Sequence, residues 1–386
     1  MKMFTIGEMP KLKIFGGQEC LTKLTAQLSK YERVVVFVDS FLATQDNIMA
    51  PVKEAVGEKL SGVFTGVVPR SPLDSVEKAA AFLTEKNADA AVVIGGGSAF
   101  VTGRAAVMLY AEKEDAHLLC THKDKETGKT VSPRLMAPKI PIFAIPTTAS
   151  SSVVKCGSAV LDEDANLRLQ LFDPKVRAKA VFLCPEFLIS TPESVFMNAV
   201  ANSFATAIEG QLSNTADCIS NAFHAQALKM FVKAFENPEE IAGEEARTQL
   251  MLACCLVGFG TDTSGFGLSV AVAHGINEFF PLRDGHINLA VLPACLRLNR
   301  ESAAMEDIAQ TMHVSAAPGE DIAEKIIEKL EQYKEKLGYP KTLRDMKLDE
   351  FYIPRIAQNV MHDFFIRYNP VKVTPEVVEK IITESL

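Results

Sequence analysis

A run of glycines after an apolar strand is the stretch whose residue types point most directly to chemistry. Residues 89–104 read DAAVVIGGGSAFVTGR, so five apolar residues lead into the glycine turn Gly95–Ser98, and a helix-forming stretch follows. A continuous apolar run is typical of a strand buried on both faces of a parallel sheet. Glycines let backbone N–H groups approach a ligand closely, and a helix start offers unpaired N–H groups and a positive dipole end. Many such turns use glycine for sterics alone, but this order favours a nucleotide phosphate site.

Two other predicted strand ends carry polar residues that suit the same kind of ligand. The strand over 33–39 ends in Asp39, and two interpretations stay open: a carboxylate that binds a ribose, or a helix cap. The strand over 140–145 leads into PTTASSS, residues 146–152. Its small hydroxyl residues suit a sugar or phosphate edge, or equally a solvated turn.

The elements that must position these residues change character near residue 185. Before it, strands and helices alternate, which predicts a doubly wound, Rossmann-like parallel sheet in an α/β domain over 1–184. The charged stretch 121–138 is predicted to be an exposed loop. After it, helical periodicity continues to the end, which predicts an all-α domain over 185–386. The helices are predicted over 195–212, 217–235, 243–260, 264–280, 286–299, 301–312, 319–337 and 375–385. We expect a ligand in a cleft between the two domains.

Composition excludes several classes of function. The chain has 386 residues, 48% of them apolar, and a net charge of −8 without a basic block, so nucleic acid is not an expected partner. Its eight cysteines form no C-x-x-C pair, as in reduced cytosolic proteins. Neither a signal peptide nor an apolar stretch long enough to span a membrane is evident. We therefore expect a cytoplasmic protein with a small-molecule substrate.

Four ordered motifs resemble the iron-containing (group III) alcohol dehydrogenases, within the dehydroquinate synthase-like superfamily. They are GGGSAFVTGR (95–104), IPTTASSS (145–152), TAIEGQLSN (206–214) and HGINEFFPLRDGHINLAVLP (274–293). Their usual family counterparts are GGGSxxDxxK, IPTTAGTGSE, a DxxxHAIE helix and HxxxHxLGxxxxxPHGxxNAxLLP. The resemblance implies an N-terminal dinucleotide-binding domain, a helical C-terminal domain, a homodimer, and NAD or NADP in the cleft.

The resemblance also assigns cofactor positions. By similarity, the nucleotide contacts fall on Asp39, Gly96, Gly97, Ser98, Thr147 and Thr148. A carboxylate at residue 39 repels a 2′-phosphate, which favours NAD over NADP. Two positions depart from the family pattern, because its Asp is Val101 and its Lys is Arg104.

The metal-ligand positions depart further. The family holds iron or zinc with one Asp and three His, and the resemblance places these ligands at Asn202, Thr206, Val270 and Asp284. No imidazole remains in that set, and iron and zinc prefer imidazole in such sites. We therefore expect no transition metal.

Three residues remain as candidates for the reaction itself. His274 matches a family histidine near the nicotinamide and could donate or relay a proton, although a packed helix histidine is the alternative. Without a metal, another group must stabilise a developing alkoxide, and Arg283 and Lys155 are the candidates, with His286 nearby. For Arg283, an ion pair with Asp284 or a helix cap is the alternative.

These observations favour a metal-independent, NAD(P)-dependent oxidoreductase that acts on a small alcohol, aldehyde or keto acid. The alternative is a catalytically degenerate member that binds nucleotide and has a regulatory or structural role. A carbon–oxygen lyase of the dehydroquinate synthase type fits least, because such enzymes also need the metal.

Overall fold

A computed structural model describes residues 11–123, 130–165 and 167–386 of the chain. These residues form two compact units that divide between Thr191 and Pro192. The division into domains 1–184 and 185–386 stays a prediction.

The first unit alternates strands and helices along the chain. Its strands are β1 (Lys13–Gly16), β2 (Val34–Asp39), β3 (Leu60–Val67), β4 (Ala90–Gly95), β5 (Cys120–Lys123), β6 (Thr130–Val131), β7 (Ile142–Pro146), β8 (Gly157–Asp162), β9 (Leu167–Phe172) and β10 (Ala180–Leu183). Its helices are α1 (Cys20–Gln27), α2 (Asp46–Val56), α3 (Leu73–Glu85), α4 (Gly97–Glu112), α5 (Ala116–Leu119) and α6 (Pro185–Ser190).

Six of these strands form a parallel sheet in the order β1-β10-β7-β4-β2-β3. The apolar runs of β4 and β7 are buried along their whole length, and β2 is buried except at Asp39, which explains why these strands lack the alternation of a half-exposed sheet. Because β2, β4 and β7 are neighbours, their carboxyl ends bring Asp39, the glycine turn and residues 146–152 to one edge. The predicted α/β fold is confirmed.

A second, four-stranded sheet in the order β6-β5-β9-β8 was not anticipated from the sequence. The prediction of an exposed loop over 121–138 is wrong at 121–123 and 130–131, where β5 and β6 pair antiparallel, whereas residues 132–138 contain no helix or strand. Residues 124–129 of that prediction lie outside the described residues. The hairpin of β8 and β9 was missed because its strands lack the continuous apolar run of β2 and β4, although Leu167, Leu169 and Leu171 alternate with polar residues in the pattern of a half-buried strand.

The second unit is helical throughout its described range, as predicted. Its helices are α7 (Glu193–Leu212), α8 (Cys218–Glu236), α9 (Glu244–Ser264), α10 (Leu268–Asn277), α11 (Asp284–Leu298), α12 (Ala304–Thr311), α13 (Ile322–Lys336), α14 (Ile353–Val360) and α15 (Pro375–Glu384). Only α14 had no counterpart in the sequence-based prediction. Helix α7 packs against α8, α9 and α11, and α10 packs against α11 and α14. These contacts hold α7, α10 and α11, the helices that carry the predicted metal-ligand positions and His274, in place.

No single helix in the described part of the chain is both long and apolar enough to cross a membrane. Helices α9 and α10, which are bent by 99° relative to each other, pass as a pair by length and composition only.

Candidate functional site

The glycine turn joins β4 to α4 through backbone that side chains would obstruct. Gly95 has a φ of +136°, a conformation that L-residues rarely adopt. A Cβ on Gly96 would lie 2.9 Å from Thr148 Cγ2, so this residue must be glycine for the turn to approach the β7 loop. Gly97 then opens the first turn of α4, whose N–H groups have no partners within the helix.

Ser98 ties this turn to a strained neighbouring segment that sequence analysis missed. Its Oγ accepts a hydrogen bond from Arg70 N at 3.1 Å, and its carbonyl accepts one from Ser71 Oγ at 3.0 Å. Arg70 and Ser71 have φ values of +68° and +52°, which are uncommon for residues other than glycine. The Ser98 hydroxyl can still donate a hydrogen bond outward.

The two threonines at the end of β7 differ in how they are satisfied. Thr147 N donates to Gly95 O at 3.0 Å, and its carbonyl accepts from Thr191 Oγ1 at 2.6 Å. Thr148 Oγ1 is buried and has no hydrogen-bond partner among the described residues. An unpaired buried hydroxyl costs about 1–3 kcal/mol, so this atom indicates a place where a ligand would complete the hydrogen bonding. The glycine turn and this hydroxyl together fit a dinucleotide.

One of the two carboxylate oxygens of Asp39 caps a turn, as the capping interpretation predicted. Its Oδ1 accepts from Leu42 N at 2.8 Å and so begins the 3₁₀ turn Leu42–Thr44. Its Oδ2 accepts no hydrogen bond from any residue that the structure describes, and the side chain is partly exposed. One oxygen is therefore available to a ribose.

Arg104 is committed to the protein rather than to a ligand. It donates to Ser152 O at 2.6 Å, to Ser152 Oγ at 3.0 Å and to Gly157 O at 3.1 Å. Burial lowers the pKa of its guanidinium to about 10, so it stays charged at neutral pH. Its role is to hold the serine loop, whose Ser150 Oγ in turn accepts from Ser152 N at 3.2 Å. Lys155 follows this loop in the first unit, whereas His274 and Arg283 belong to the second unit.

In the second unit, the four positions assigned to metal ligands lie on α7, α10 and α11. Thr206 is fully buried and its Oγ1 donates to Asn202 O, one turn earlier on α7, at 2.9 Å. Val270 on α10 is buried and apolar. Asp284 begins α11, and its Oδ1 accepts from Asn277 Nδ2 at 2.5 Å. Of the four side chains, those of Asn202, Thr206 and Asp284 are polar. Those of Thr206 and Asp284 are hydrogen-bonded to other groups of the protein.

Asn288 links these helices. With its NH₂ donating to Ser269 O at 3.1 Å and Asp284 O at 3.2 Å, its oxygen lies 3.2 Å from Asn202 Oδ1, and it accepts a hydrogen bond there once the Asn202 amide is also turned to place its NH₂ at that position. The opposite orientation, in which Asn288 Nδ2 donates to Asn202 Oδ1, leaves the Asn288 oxygen against two carbonyls, so we adopt the first. The Asn202 amide is thus also engaged.

His274 is held by a carboxylate that sequence analysis did not identify. His274 Nδ1 lies 2.7 Å from Asp363 Oδ2, while Asp363 Oδ1 accepts from Phe365 N at 2.7 Å. The side chain of Asp363 is 9% exposed, and its contact with Nδ1 leaves Nε2 as the nitrogen that can exchange a proton, since Nε2 bonds to none of the described residues. A histidine–carboxylate pair 89 residues apart has no local sequence signature.

Two family models match the chain, one over its N-terminal part and one over its C-terminal part. The model of iron-containing alcohol dehydrogenases matches residues 10–185, and the model of the C-terminal part of the Fe-containing alcohol dehydrogenase family matches residues 197–386. The chain belongs to the iron-containing alcohol dehydrogenase family.

Relatives in this family reduce or oxidise small molecules. Lactaldehyde reductase of Escherichia coli (strain K12) is 24% identical over 375 residues, covering 95% of each chain. NAD-dependent methanol dehydrogenase of Bacillus methanolicus is 24% identical over 371 residues, covering 92% of each.

Solved structures show the same fold. A 1,3-propanediol oxidoreductase superposes with a TM-score of 0.88 at 20% identity and covers 100% of both chains. Sulfoacetaldehyde reductase from Bifidobacterium kashiwanohense, solved with NAD⁺, gives 0.84 at 19% identity and covers 99% of both. At these identities the likeness establishes the fold alone.

The residues of this chain do not fit the metal of the iron-containing alcohol dehydrogenase family. Val270 offers no donor atom, Thr206 Oγ1 is turned to a backbone carbonyl, and Asp284 is bonded to Asn277. Across the described residues, no group of three or more His, Cys, Asp or Glu side chains could hold a metal ion. The donor set is one carboxylate, an amide and a hydroxyl, which is poor chemistry for iron or zinc.

The remaining candidates have structural partners. Arg283 precedes α11 and its guanidinium donates to Ser194 O at 3.0 Å, so its contact is with α7 rather than only with solvent. His286 packs edge-on against Tyr339 at 5.7 Å between ring centroids. Burial, together with the charge of Arg283, lowers the pKa of His286, so its imidazole is neutral at neutral pH.

Glu209 is a second residue that sequence analysis did not assign a role. It is fully buried and accepts from Ser269 N at 3.0 Å and from Ser269 Oγ, at the start of α10. A Cβ on Gly267 would collide with its Oε2 at 2.1 Å. Burial raises the pKa of Glu209 to about 7, against the lowering effect of the Ser269 hydrogen bonds. Glu209 therefore anchors the helix that carries His274.

Proposed function

We propose that this chain is an NAD-dependent oxidoreductase that acts on a small alcohol, aldehyde or keto acid without the metal of its family. One observation carries the proposal: the glycine turn of β4 lies against the methyl group of Thr148, whose buried hydroxyl lacks a hydrogen-bond partner in the described structure. The relatives named NAD-dependent, or solved with NAD⁺, support the cofactor.

The first unit would bind the cofactor through residues at the carboxyl ends of β2, β4 and β7. The turn N–H groups of Gly96, Gly97 and Ser98 suit the pyrophosphate, and the hydroxyl groups of Thr147 and Thr148 suit an adjacent polar edge. The unbonded oxygen of Asp39 favours the ribose of NAD over the 2′-phosphate of NADP. NAD(H), when bound, supplies or accepts the hydride.

The second unit would handle the proton. Asp363 fixes the ring of His274 and its tautomer, so that Nε2 gives a proton to the developing alkoxide or takes it from the alcohol. Asp363 also stabilises the imidazolium that forms when His274 takes the proton.

Stabilisation of the developing alkoxide would come from hydrogen-bond donors, since Asn202, Thr206, Val270 and Asp284 do not fit a metal. Arg283 and Lys155 are the cationic candidates for this role and for binding a substrate carboxylate. The homodimer implied by the family resemblance stays a prediction, which light scattering of the purified protein would check.

The test is NADH binding, followed by turnover with a panel of small aldehydes and keto acids in the presence of a strong chelator. We expect saturable nicotinamide fluorescence changes and loss of NADH absorbance with at least one carbonyl. Absence of any fluorescence change or thermal shift with NADH would contradict the proposal.

A degenerate nucleotide-binding protein is the second candidate, because the polar side chains at the ligand positions are bonded to other groups of the protein. It predicts NADH binding without turnover across the panel. Binding and turnover measured on one preparation therefore separate the two functions.

A further inference from the structure

Two buried thiols outside the candidate site lie in contact. Cys20 begins α1 and Cys184 directly follows β10, and their Sγ atoms are 2.9 Å apart. Cys20 is 4% exposed and Cys184 is fully buried. Both belong to the core on one side of the six-stranded sheet.

The main chain fixes this contact between residues 164 positions apart in sequence. Strands β1 and β10 are parallel neighbours, with Gly16 opposite Leu183. Gly17 N then donates to Leu183 O at 3.1 Å, and Cys20 N donates to Gly17 O at 3.1 Å. The two chains leave the sheet side by side, so each thiol is held against the other by backbone hydrogen bonds.

We propose that Cys20 and Cys184 form a reversible redox pair that a small peroxide converts to an intramolecular disulfide. One thiol attacks the peroxide O–O bond, which gives a sulfenic acid and one water. The second sulfur then attacks the sulfenic sulfur and releases the other water. Two S–H bonds are lost, one S–S bond forms, and the two electrons reduce hydrogen peroxide to two molecules of water. A dithiol reductant reverses the reaction by thiol–disulfide exchange.

The environment of the pair explains the choice of oxidant. The hydrogen bond with Cys20 and burial raise the pKa of the Cys184 thiol well above its usual range, and the charge of Glu186 adds to this effect. Because the thiolate is the nucleophile, Cys184 is the less reactive of the two sulfurs, and Cys20, which is 4% exposed, is the one that attacks the peroxide first. A small, uncharged peroxide can reach such a buried pair more readily than a large disulfide.

The test is peptide mapping of the full-length protein under non-reducing conditions after hydrogen peroxide treatment and alkylation. We expect a linked peptide pair that contains Cys20 and Cys184 and disappears after a dithiol is added. The C20S variant should lose this link, whereas C218S, which removes an exposed thiol, should keep it.

Peptide mapping of the wild-type protein tests the proposal even if the variants do not fold. If Cys20 and Cys184 both remain alkylatable after unfolding, under conditions that oxidise Cys218, the proposal is wrong. A link that forms only when peroxide is added to unfolded protein also contradicts it, because the native fold would then not supply the pair.

Discussion

The glycine turn of the first unit and the metal-ligand positions of the second unit differ in whether their buried polar atoms have hydrogen-bond partners. At the glycine turn, the family pattern is kept and the buried Thr148 hydroxyl lacks a partner in the described structure. At the ligand positions of α7, α10 and α11, the pattern is lost, and Thr206, Asn202 and Asp284 are bonded within the protein. An unsatisfied buried group indicates a missing ligand, whereas a closed network does not. The comparison therefore favours a nucleotide site in the first unit and argues against a metal site in the second.

Among the variants proposed here, replacement of His274 with alanine should cause the largest loss of kcat. Loss of the proton-exchanging Nε2 should lower kcat by about 10²–10⁴-fold, with the Kd for NADH unchanged because the proposed nucleotide contacts lie in the first unit. Steady-state kinetics and NADH titration measure both. H286A, which removes a packed neutral imidazole, is the control and should change kcat far less; an equal loss in both variants would point to general damage.

Replacing Asp363 with asparagine should lower kcat by about 10–100-fold, because an amide can present its NH₂ to His274 Nδ1 and does not stabilise the imidazolium. The pH dependence of kcat should shift with it, which a purely structural role would not produce. D349N is the matched control, since Asp349 Oδ1 accepts from Phe351 N at 3.0 Å and begins a 3₁₀ turn in the same way as Asp363. Unaltered kinetics in D363N would remove Asp363 from the mechanism.

Replacing Thr148 with valine should act in opposite directions on binding and on stability. The variant removes an unpaired buried hydroxyl, so the ligand-free protein should be more stable by about 1 kcal/mol. If that hydroxyl binds the cofactor, the Kd for NADH should rise about tenfold at the same time. Thermal unfolding with and without NADH tests both signs. Equal NADH affinity in both proteins would show that the hydroxyl faces no nucleotide.

Replacing Glu209 with glutamine should change the pH dependence of stability. The pKa of Glu209 is raised from 4.5 to about 7, so the native state binds more protons than the unfolded state between these values. Its contribution is therefore fully present below pH 4.5 and is lost as pH rises to about 7, by at most about 3 kcal/mol.

The difference in Tm between pH 5 and pH 8 measures this contribution. E209Q should show a smaller fall than the wild type, while E335Q, which alters an exposed carboxylate, should match the wild type. A wild-type Tm that rises over this range, with E209Q parallel to it, would contradict the account of Glu209.

Local patterns predicted much of the fold and less of the site. We predicted the apolar strands, the glycine turn and the helical second half from the sequence. Strand burial and helix periodicity both appear as patterns among residues that are near one another in the chain. The β8–β9 hairpin was missed because its strands lack the continuous apolar run of β2 and β4, and α14 was missed as well. Asp363 and Glu209 could not be found as partners of His274 and Ser269, because only tertiary packing joins residues 89 and 60 positions apart.

The most direct test of the account is turnover measured against metal content. Chelator-treated protein with iron and zinc below stoichiometric amounts, as shown by elemental analysis, would be assayed with NADH and an accepted carbonyl before and after ferrous iron or zinc is added. The account predicts the same kcat throughout. Activity that is absent after chelation and returns in proportion to one bound metal ion per chain would contradict it.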